Sequence, residues 1–227
     1  MIELSDRLNA MEESATIAMS RKSRELKQQG KDIISLSLGE PDFFTPQFIK
    51  DAAAQAMKDN YTMYTPVPGY EDLREAISRK FKRDNNLDYK ADQIVVSTGA
   101  KQSIANVVLS IVNAGDEVII PAPYWVSYVE IVKVAEGESI IVNAGIESDF
   151  KITPAQLEAA ITPKTKMMIF STPCNPTGSV YSKEELKGLA TVLAKHPQIV
   201  VISDEIYEHI NFGTKHESLA QFPEIYE

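Results

Sequence analysis

Four short stretches of the sequence place functional side chains directly after apolar runs. They are Thr98-Gly99-Ala100-Lys101 after "QIVVS", Trp125 after "PAPY", Asn175 within "STPCNPTG", and Asp204 with Tyr207 after "VVIS". Free N–H groups at a helix start suit a phosphate, and a flat indole ring can stack on a planar ligand. A carboxylate that follows an apolar run is partly desolvated and therefore needs a cationic partner. The prolines around Asn175 stiffen the backbone, so that its amide is held in one place.

Each stretch taken alone also has a purely structural explanation. Gly99-Ala100 could be an ordinary strand-to-helix turn, and Asn175 could lie in a tight turn that leaves a strand. Asp204 could be a helix N-cap, while Trp125 and Tyr207 could be core aromatic residues. Together the stretches supply a phosphate cradle, a stacking ring, an amide, and a carboxylate paired with a phenol. That set meets the needs of pyridoxal 5′-phosphate: Asp204 would keep the ring nitrogen protonated, and Asn175 and Tyr207 would bind the phenolic oxygen.

The elements that must position these side chains read as an α/β domain. Short apolar runs alternate with helical patterns in the order "QIVVST", "DEVIIP", "SIIVN", "KMMIFS" and "IVVISDE". This alternation predicts a mainly parallel central sheet with helices on both faces. In such sheets ligands bind outside the carboxyl ends of the strands, which is where the four stretches lie.

Helical patterns are expected at several places along the chain. Three precede the sheet, near residues 12–29, 46–58 and 70–85, and Gly30 is expected to end the first of them. A helix is also expected after each of the first four apolar runs, and Ser182 is expected to cap the last of these through "SKEEL".

Composition restricts the class of protein. The chain has 227 residues and a formal net charge of −9, and this acidic balance argues against a nucleic-acid partner. No apolar run approaches the length of a membrane span, and the N-terminus lacks the pattern of a signal peptide. The single cysteine, Cys174, excludes an internal disulfide and is expected to be a small buried thiol. We therefore expect a cytoplasmic protein.

Motifs for other ligand classes do not occur. The sequence has neither Gly-x-Gly-x-x-Gly nor Gly-x4-Gly-Lys-Ser/Thr, which argues against a dinucleotide or P-loop nucleotide site. The three histidines, His196, His209 and His216, lack the spacing of metal ligands, so we expect no metal site.

Beyond these chemical arguments, the sequence resembles the class I/II aminotransferases of pyridoxal-phosphate fold type I, and within them the bacterial aspartate aminotransferase branch. The resemblance rests on "LSLGEPDF", "YTPVPG", "STGAKQSI", "GDEVIIPAPYWVSY", "STPCNPTG" and "VVISDEIYEHI", which span most of the chain. "NPTG" followed by "SDEIY" is the most specific part. The resemblance implies a homodimeric enzyme that moves an amino group from an amino acid, with aspartate the first expectation, to a 2-oxo acid. Two alternatives stay open: another enzyme of the fold, such as a carbon–sulfur lyase or a cyclopropane-carboxylate synthase, and a non-catalytic module that borrows the fold.

The resemblance also implies roles for individual residues. Gly99, Ala100 and Lys101 match the phosphate-binding turn, Trp125 the stacking ring, Asn175 the amide that meets cofactor and substrate, and Asp204 and Tyr207 the partners of ring nitrogen and phenolate. Gly39 resembles the backbone donor to the substrate's α-carboxylate, and Trp125 is also expected beside the substrate. Tyr64 resembles the residue that reaches the cofactor phosphate of a neighbouring subunit.

Further expectations come from the same family pattern. Lys101, helped by Thr16, is a candidate for contact with the substrate's distal carboxylate. The peptide bonds before Pro123 and Pro176 are expected to be cis, which is uncommon even before proline.

The family's Schiff-base lysine has no counterpart in this sequence. In the family it follows "SDEIY" at a distance, so the resemblance places it beyond Glu227, the last residue given, and no lysine here matches its motif. We therefore expect no catalytic residue within this chain. The expected reading is an N-terminal fragment of a longer enzyme, inactive by itself.

The same resemblance divides the chain into two parts. Residues 1–45 would form an N-terminal arm with part of a small domain, and residues 46–227 a large cofactor-binding domain incomplete at its C-terminus. In the family two later strands insert inside the sheet, so this chain alone would leave a gap there.

Overall fold

The computed structural model describes residues 3–36, 38–213 and 215–225. Glu227, beyond which the Schiff-base lysine is expected, lies outside the described residues, so that expectation stays a prediction. The described residues fall into two compact units, one of residues 13–70 and the other of the residues before 13 and after 70. The expected domain boundary after residue 45 also stays a prediction. No helix in the described ranges has both the length and the apolar character needed to cross a bilayer.

The larger unit is built on a parallel four-stranded sheet. Its strands are β1 (Glu117–Ala122), β2 (Glu138–Asn143), β3 (Thr165–Ser171) and β4 (Val200–Asp204), in the order β2-β1-β3-β4. Every neighbouring pair of strands is parallel. The α-helices described in this unit are α1 (Asp6–Asn9), α4 (Glu71–Lys80), α5 (Ala100–Ile111), α6 (Ser127–Val134), α7 (Pro154–Ala160) and α8 (Lys183–Leu193). The predicted α/β architecture is therefore confirmed.

Side chains of the central strands alternate between two separate cores. Ile119 of β1 and Phe170 of β3 pack on one face of the sheet with Leu157 of α7 and with α8. Val118, Ile120, Met167 and Ile169 point to the other face, which α5 and α6 cover. Successive strand residues point to opposite faces, so a strand buried on both sides reads as an unbroken apolar run. This is why the runs in the sequence indicated a sheet with helices on both faces.

One of the five predicted strands is not formed. Residues 94–97 of "QIVVST" belong to no strand, and Val95 is 67% exposed. The prediction fails because a strand needs a neighbour for its backbone groups. Within the described residues, β4 is one of the two edge strands of the sheet, opposite β2, and pairs only with β3. A cavity of about 540 Å³ lies beside β4, and Val201, Ile202, Ile104 and Val107 line part of it.

Two helices of the larger unit begin with reciprocal side-chain caps. Ser182 Oγ accepts a hydrogen bond from Glu185 N at 3.2 Å, and Glu185 Oε2 accepts one from Ser182 N at 2.7 Å. This confirms the predicted cap of α8, and Thr153 with Gln156 repeats the arrangement at α7. Such caps satisfy N–H groups that have no partner inside the helix.

The predicted helix at residues 70–85 changes its winding part-way. Regular α4 ends at Lys80, and the chain continues as one π-helical turn over Phe81–Asn85. Asn86 then adopts a left-handed conformation with φ of 55°.

The smaller unit contains two helices, α2 (Ala15–Gln28) and α3 (Gln47–Lys58). Gly30 ends α2 as expected: its φ is 79°, and Lys31 N donates to Leu26 O at 3.1 Å. A residue in this left-handed conformation lets the chain turn back over the last carbonyls of the helix. The helix begins three residues later than the sequence pattern indicated, at Ala15 instead of Glu12.

Candidate functional site

The carboxyl ends of β1, β3 and β4 meet at one edge of the larger unit's sheet. Ser171, the last residue of β3, lies opposite Asp204, the last residue of β4. Thr172 N donates to Asp204 O at 3.1 Å, which extends this pairing by one residue. The loop that carries Trp125 leaves β1 at the same edge, because β1 and β3 are parallel neighbours. The topology thus brings together loops that are far apart in the sequence.

Asp204 is a buried carboxylate with 9% exposure. Its Oδ2 accepts a hydrogen bond from Tyr128 Oη at 2.7 Å, and its Oδ1 accepts one from Ile206 N at 3.2 Å. Both donors are neutral. A desolvated carboxylate with neutral donors is electrostatically suited to a further, cationic partner.

Tyr128, on α6, is a site residue that the sequence interpretation missed. It is 1% exposed, and burial raises the pKa of its phenol well above the ordinary value, with the charge of Asp204 and their hydrogen bond adding to the rise. The phenol therefore stays protonated and donates. Its position three residues after Trp125 in "WVSY" is the signal that could have revealed it.

Trp125 lies between Tyr128 and Lys101. Its ring meets that of Tyr128 edge-on, with 5.5 Å between centroids and 89° between planes. The Lys101 ammonium also lies over the Trp125 ring, 4.9 Å from its centroid, which is within the range of a cation–π contact. Contacts thus run without a break from Lys101 through the indole and the phenol to the Asp204 carboxylate.

The turn predicted to bind phosphate opens α5. Gly99 has φ of 98°, a conformation that favours glycine, and Ala100 is the first residue of the helix. The N–H groups of a first helical turn lack partners within the helix, and the positive end of the helix dipole lies there. Gly99 and Lys101 are exposed, so this turn is open to solvent. Its geometry suits an anion.

Asn175 lies in a partly buried loop after β3. Its backbone N donates to Ser171 Oγ at 3.4 Å, and Cys174 Sγ donates to Pro123 O at 3.5 Å, which joins this loop to the one after β1. The expected cis bonds before Pro123 and Pro176 are confirmed, and a third precedes Pro173. Cys174 is partly buried, so it is more exposed than the small buried thiol that we expected.

The remaining predicted site residues are less constrained. Tyr207 is partly buried in the turn after Asp204, where its carbonyl accepts from Ile210 N at 2.8 Å. Gly39 and Tyr64 are exposed and Thr16 is partly buried in α2; all three lie in the smaller unit. Their assignment to the same site stays a prediction.

The parallel sheet carries a buried carboxylate and an indole at the carboxyl ends of its strands, which is where proteins with open α/β sheets bind their ligands. The chain belongs to the aminotransferase class I and II family, whose sequence profile matches residues 31–225.

Curated relatives carry a more specific name. A probable aspartate/prephenate aminotransferase of Rickettsia bellii is 55% identical over 219 residues, which cover 96% of this chain and 55% of that protein. The aspartate/prephenate aminotransferase of Nitrosomonas europaea is 52% identical over 209 residues, covering 92% of this chain and 53% of its own. The chain thus spans about half the length of the curated relatives it matches.

Solved structures agree with the fold. The aspartate aminotransferase of Rhizobium meliloti superposes with a TM-score of 0.96 at 38% identity, over 99% of this chain and 57% of that one. The aspartate aminotransferase of Thermus thermophilus with maleate gives 0.93 at 42% identity, over 97% and 58% of the two chains.

Proposed function

We propose that the protein to which this chain belongs is a pyridoxal 5′-phosphate-dependent aminotransferase, and that this chain supplies much of its cofactor site. The observation that carries the proposal is the buried Asp204 carboxylate, held by Tyr128 at the edge of the sheet where Trp125 offers a flat ring. A carboxylate in this setting favours a protonated nitrogen heterocycle over a neutral ligand.

The donor set fits each part of that cofactor. Asp204 would hold the proton on the ring nitrogen, and Trp125 would stack on the ring and exclude water from one of its faces. The N–H groups of Ala100 and Lys101 would bind the phosphate at the start of α5. Asn175 and Tyr207 would bind the phenolic oxygen. When bound, the cofactor supplies an electron sink for a carbanion at the substrate's α-carbon.

Within this chain the residues bind and orient, and none of them is assigned the transfer of the substrate's α-proton. That role is proposed for a lysine beyond Glu227. Tyr128 fixes the direction of the Asp204 carboxylate, which would therefore already be placed to hold a proton on the ring nitrogen before substrate arrives. Such a preorganised partner needs no rearrangement during the reaction. The chain by itself is therefore expected to bind cofactor but not to turn over.

For substrates, we propose aspartate as amino donor and a 2-oxo acid as acceptor, in two half-reactions of the ping-pong type. The names of the relatives add prephenate as a candidate acceptor. Lys101 and Thr16 are proposed to contact the distal carboxylate, Gly39 to donate its backbone N–H to the α-carboxylate, and Trp125 and Asn175 to contact the substrate. We further propose a cytoplasmic homodimer in which Tyr64 reaches the phosphate of the neighbouring subunit.

The cofactor site can be tested on this chain with pyridoxamine 5′-phosphate, which needs no lysine to bind. Trp125 is the only tryptophan, so its fluorescence reports binding directly. We expect saturable quenching that inorganic phosphate weakens by competition. Asp204→Asn should weaken binding at least about tenfold, since a charge-assisted hydrogen bond is lost. Asp92→Asn, an exposed position, is the matched control and should bind normally.

Absence of quenching, or equal affinity of Asp204→Asn and the unchanged chain, would refute the proposed site. Reaction class needs a second measurement on the longer protein that contains this chain. Incubation with aspartate and 2-oxoglutarate should yield glutamate and oxaloacetate in equal amounts. Release of a product without a paired amino acid would indicate a lyase of the same fold instead.

A further inference from the structure

The turn that follows Asp204 is fastened at both ends by carboxylates. Glu205 begins this turn and Glu208 lies at the other end, with Tyr207 between them. Neither carboxylate belongs to the cofactor site proposed above. Each is bound by side chains from other parts of the sequence.

Glu205 joins β4 to residues 216–218. Its Oε1 accepts hydrogen bonds from Ser203 Oγ and Ser218 Oγ, both at 2.7 Å. Its Oε2 lies 2.8 Å from Nε2 of His216, whose side chain is 8% exposed. Ser218 is 2% exposed. Because Ser218 and the His216 side chain are largely shielded from solvent, water competes little for these hydrogen bonds, which hold Glu205 firmly.

Glu208 joins the other end of the turn to the π-helical turn that follows α4. Its Oε1 is paired with the Lys80 ammonium, and its Oε2 accepts from Asn85 Nδ2 at 2.9 Å. Lys80 also donates to Asn85 Oδ1 at 2.9 Å. Burial alone would raise the pKa of the Glu208 carboxyl, but the hydrogen bonds from Lys80 and Asn85 outweigh it and hold the pKa below its ordinary value.

These two carboxylates and His216 offer three possible cation ligands within 4.8 Å of one another. Protein donors already supply their charge and hydrogen bonds, however. Lys80 provides the positive charge beside Glu208, and two hydroxyls and an imidazole bind Glu205. The cluster is therefore better explained as a structural tie than as a metal site.

The tie bears directly on Asp204. Ile206 N donates to Asp204 Oδ1, and Glu208 N donates to Glu205 O at 3.0 Å, so the turn itself holds one oxygen of the buried carboxylate. If the turn loosens, Asp204 loses this donor and Tyr207 loses its fixed place.

We propose that Glu205 and Glu208 are positioning residues that hold the turn of residues 204–208, and through it the Asp204 carboxylate and the Tyr207 phenol, in the geometry that binds the cofactor ring. This inference rests on the proposed function, because the hydrogen bonds of Glu205 and Glu208 can position cofactor-binding groups only if a cofactor ring binds at Asp204. Neither glutamate is proposed to touch that ring.

The test compares Glu205→Gln and Glu208→Gln with two controls in the same chain. Ser182→Ala removes the cap of α8 and matches the expected loss of stability at a distant site. Glu184→Gln makes the same change of charge at an exposed position. Binding of pyridoxamine 5′-phosphate is followed through Trp125 fluorescence, and the absorbance band of the bound ligand reports protonation of its ring.

We expect both site variants to weaken binding about five- to tenfold, which corresponds to one lost hydrogen bond, and to shift the absorbance band. Amide exchange at Ile206 and Glu208 should accelerate by at least a similar factor in the ligand-free chain. Both controls should leave binding, spectrum and exchange unchanged.

If Glu205→Gln and Glu208→Gln bind the ligand with the affinity and spectrum of the unchanged chain, the inference is overturned, even if their melting temperatures fall. In that case the two carboxylates would contribute only to stability. If the unchanged chain fails to bind the ligand, the proposed function fails separately. Exchange at the two amides then decides whether the carboxylates hold the turn at all, and unaltered exchange refutes that as well.

Discussion

Replacement of Tyr128 by phenylalanine removes a single oxygen from the candidate site. The ring is 1% exposed and edge-on to Trp125, so phenylalanine can occupy the same space. What is lost is the 2.7 Å hydrogen bond to Oδ2 of Asp204. The Asp204 carboxylate stays buried but loses one of its donors, so the substitution tests how much that donor stabilises a desolvated charge.

The size of the effect follows from the charge of the acceptor. A hydrogen bond to a charged group contributes about 1.5–3 kcal/mol, whereas a neutral one contributes about 1 kcal/mol. We therefore expect the free energy of unfolding to fall by about 2 kcal/mol. For a protein of this size that corresponds to a decrease of about 4–8 °C in melting temperature.

Urea unfolding followed by far-ultraviolet circular dichroism at pH 7 measures this loss. Tyr61→Phe, at a residue that is 59% exposed, is the matched control and should change stability by less than about 0.5 kcal/mol. The difference between Tyr128→Phe and the unchanged chain should be constant from pH 6 to about 9. Above about pH 10 it should shrink, because the raised phenol pKa stabilises the folded chain only while the unfolded tyrosine is also protonated.

A loss below about 0.5 kcal/mol for Tyr128→Phe would refute the reasoning, because a charged acceptor cannot lose a buried donor without cost. A large loss accompanied by an altered Trp125 emission maximum in the folded state would show that the ring had moved. In that case the cost would reflect repacking instead of the hydrogen bond.

Three further predictions concern stability. Gly137→Ala should lower the unfolding free energy by about 1–3 kcal/mol in urea titrations, since its new Cβ would lie 2.6 Å from Val112 Cγ1. Gly213→Ala is the control, because a Cβ at that position would have no atom within 4 Å. Burial raises the pKa of Tyr181, so above pH 10 the unfolding free energy of the unchanged chain should fall more steeply than that of Tyr181→Phe, by up to about 1.4 kcal/mol per pH unit. The folded pKa of Glu208 is lowered, so the unchanged chain should have a larger unfolding free energy than Glu208→Gln above pH 4.5, and this difference should vanish as acid protonates the carboxylate. A difference in unfolding free energy that persists at pH 2 would contradict this assignment.

Much of the sheet was readable from the sequence because its inner strands are buried on both faces. Val118, Ile119 and Ile120 all lie in a core, and so do Met167 to Phe170, which makes the apolar runs continuous. The run at residues 93–98 looked similar but formed no strand. Strand formation depends on a partner elsewhere in the chain, and local composition does not specify one.

The candidate site was predictable to the extent that topology determines it. Parallel strands bring their carboxyl ends to one edge, so Trp125, Asn175 and Asp204 could be expected near one another. Tyr128 was missed because its residue type suggests core packing, although its position three residues after Trp125 on α6 was an available signal. Glu205 and Glu208 could not be inferred from topology, because their partners lie on separate segments.

The open flank of β4 has a practical consequence for work with this chain. Among the described residues this strand edge has no paired neighbour, and it lies next to an apolar hollow lined by Ile104, Val107 and Ile202. Such an edge is a template on which another polypeptide can add a strand. We therefore expect concentrated solutions to associate edge to edge and to precipitate. Dilute samples, checked for particle size, will separate the behaviour of single molecules from that of aggregates.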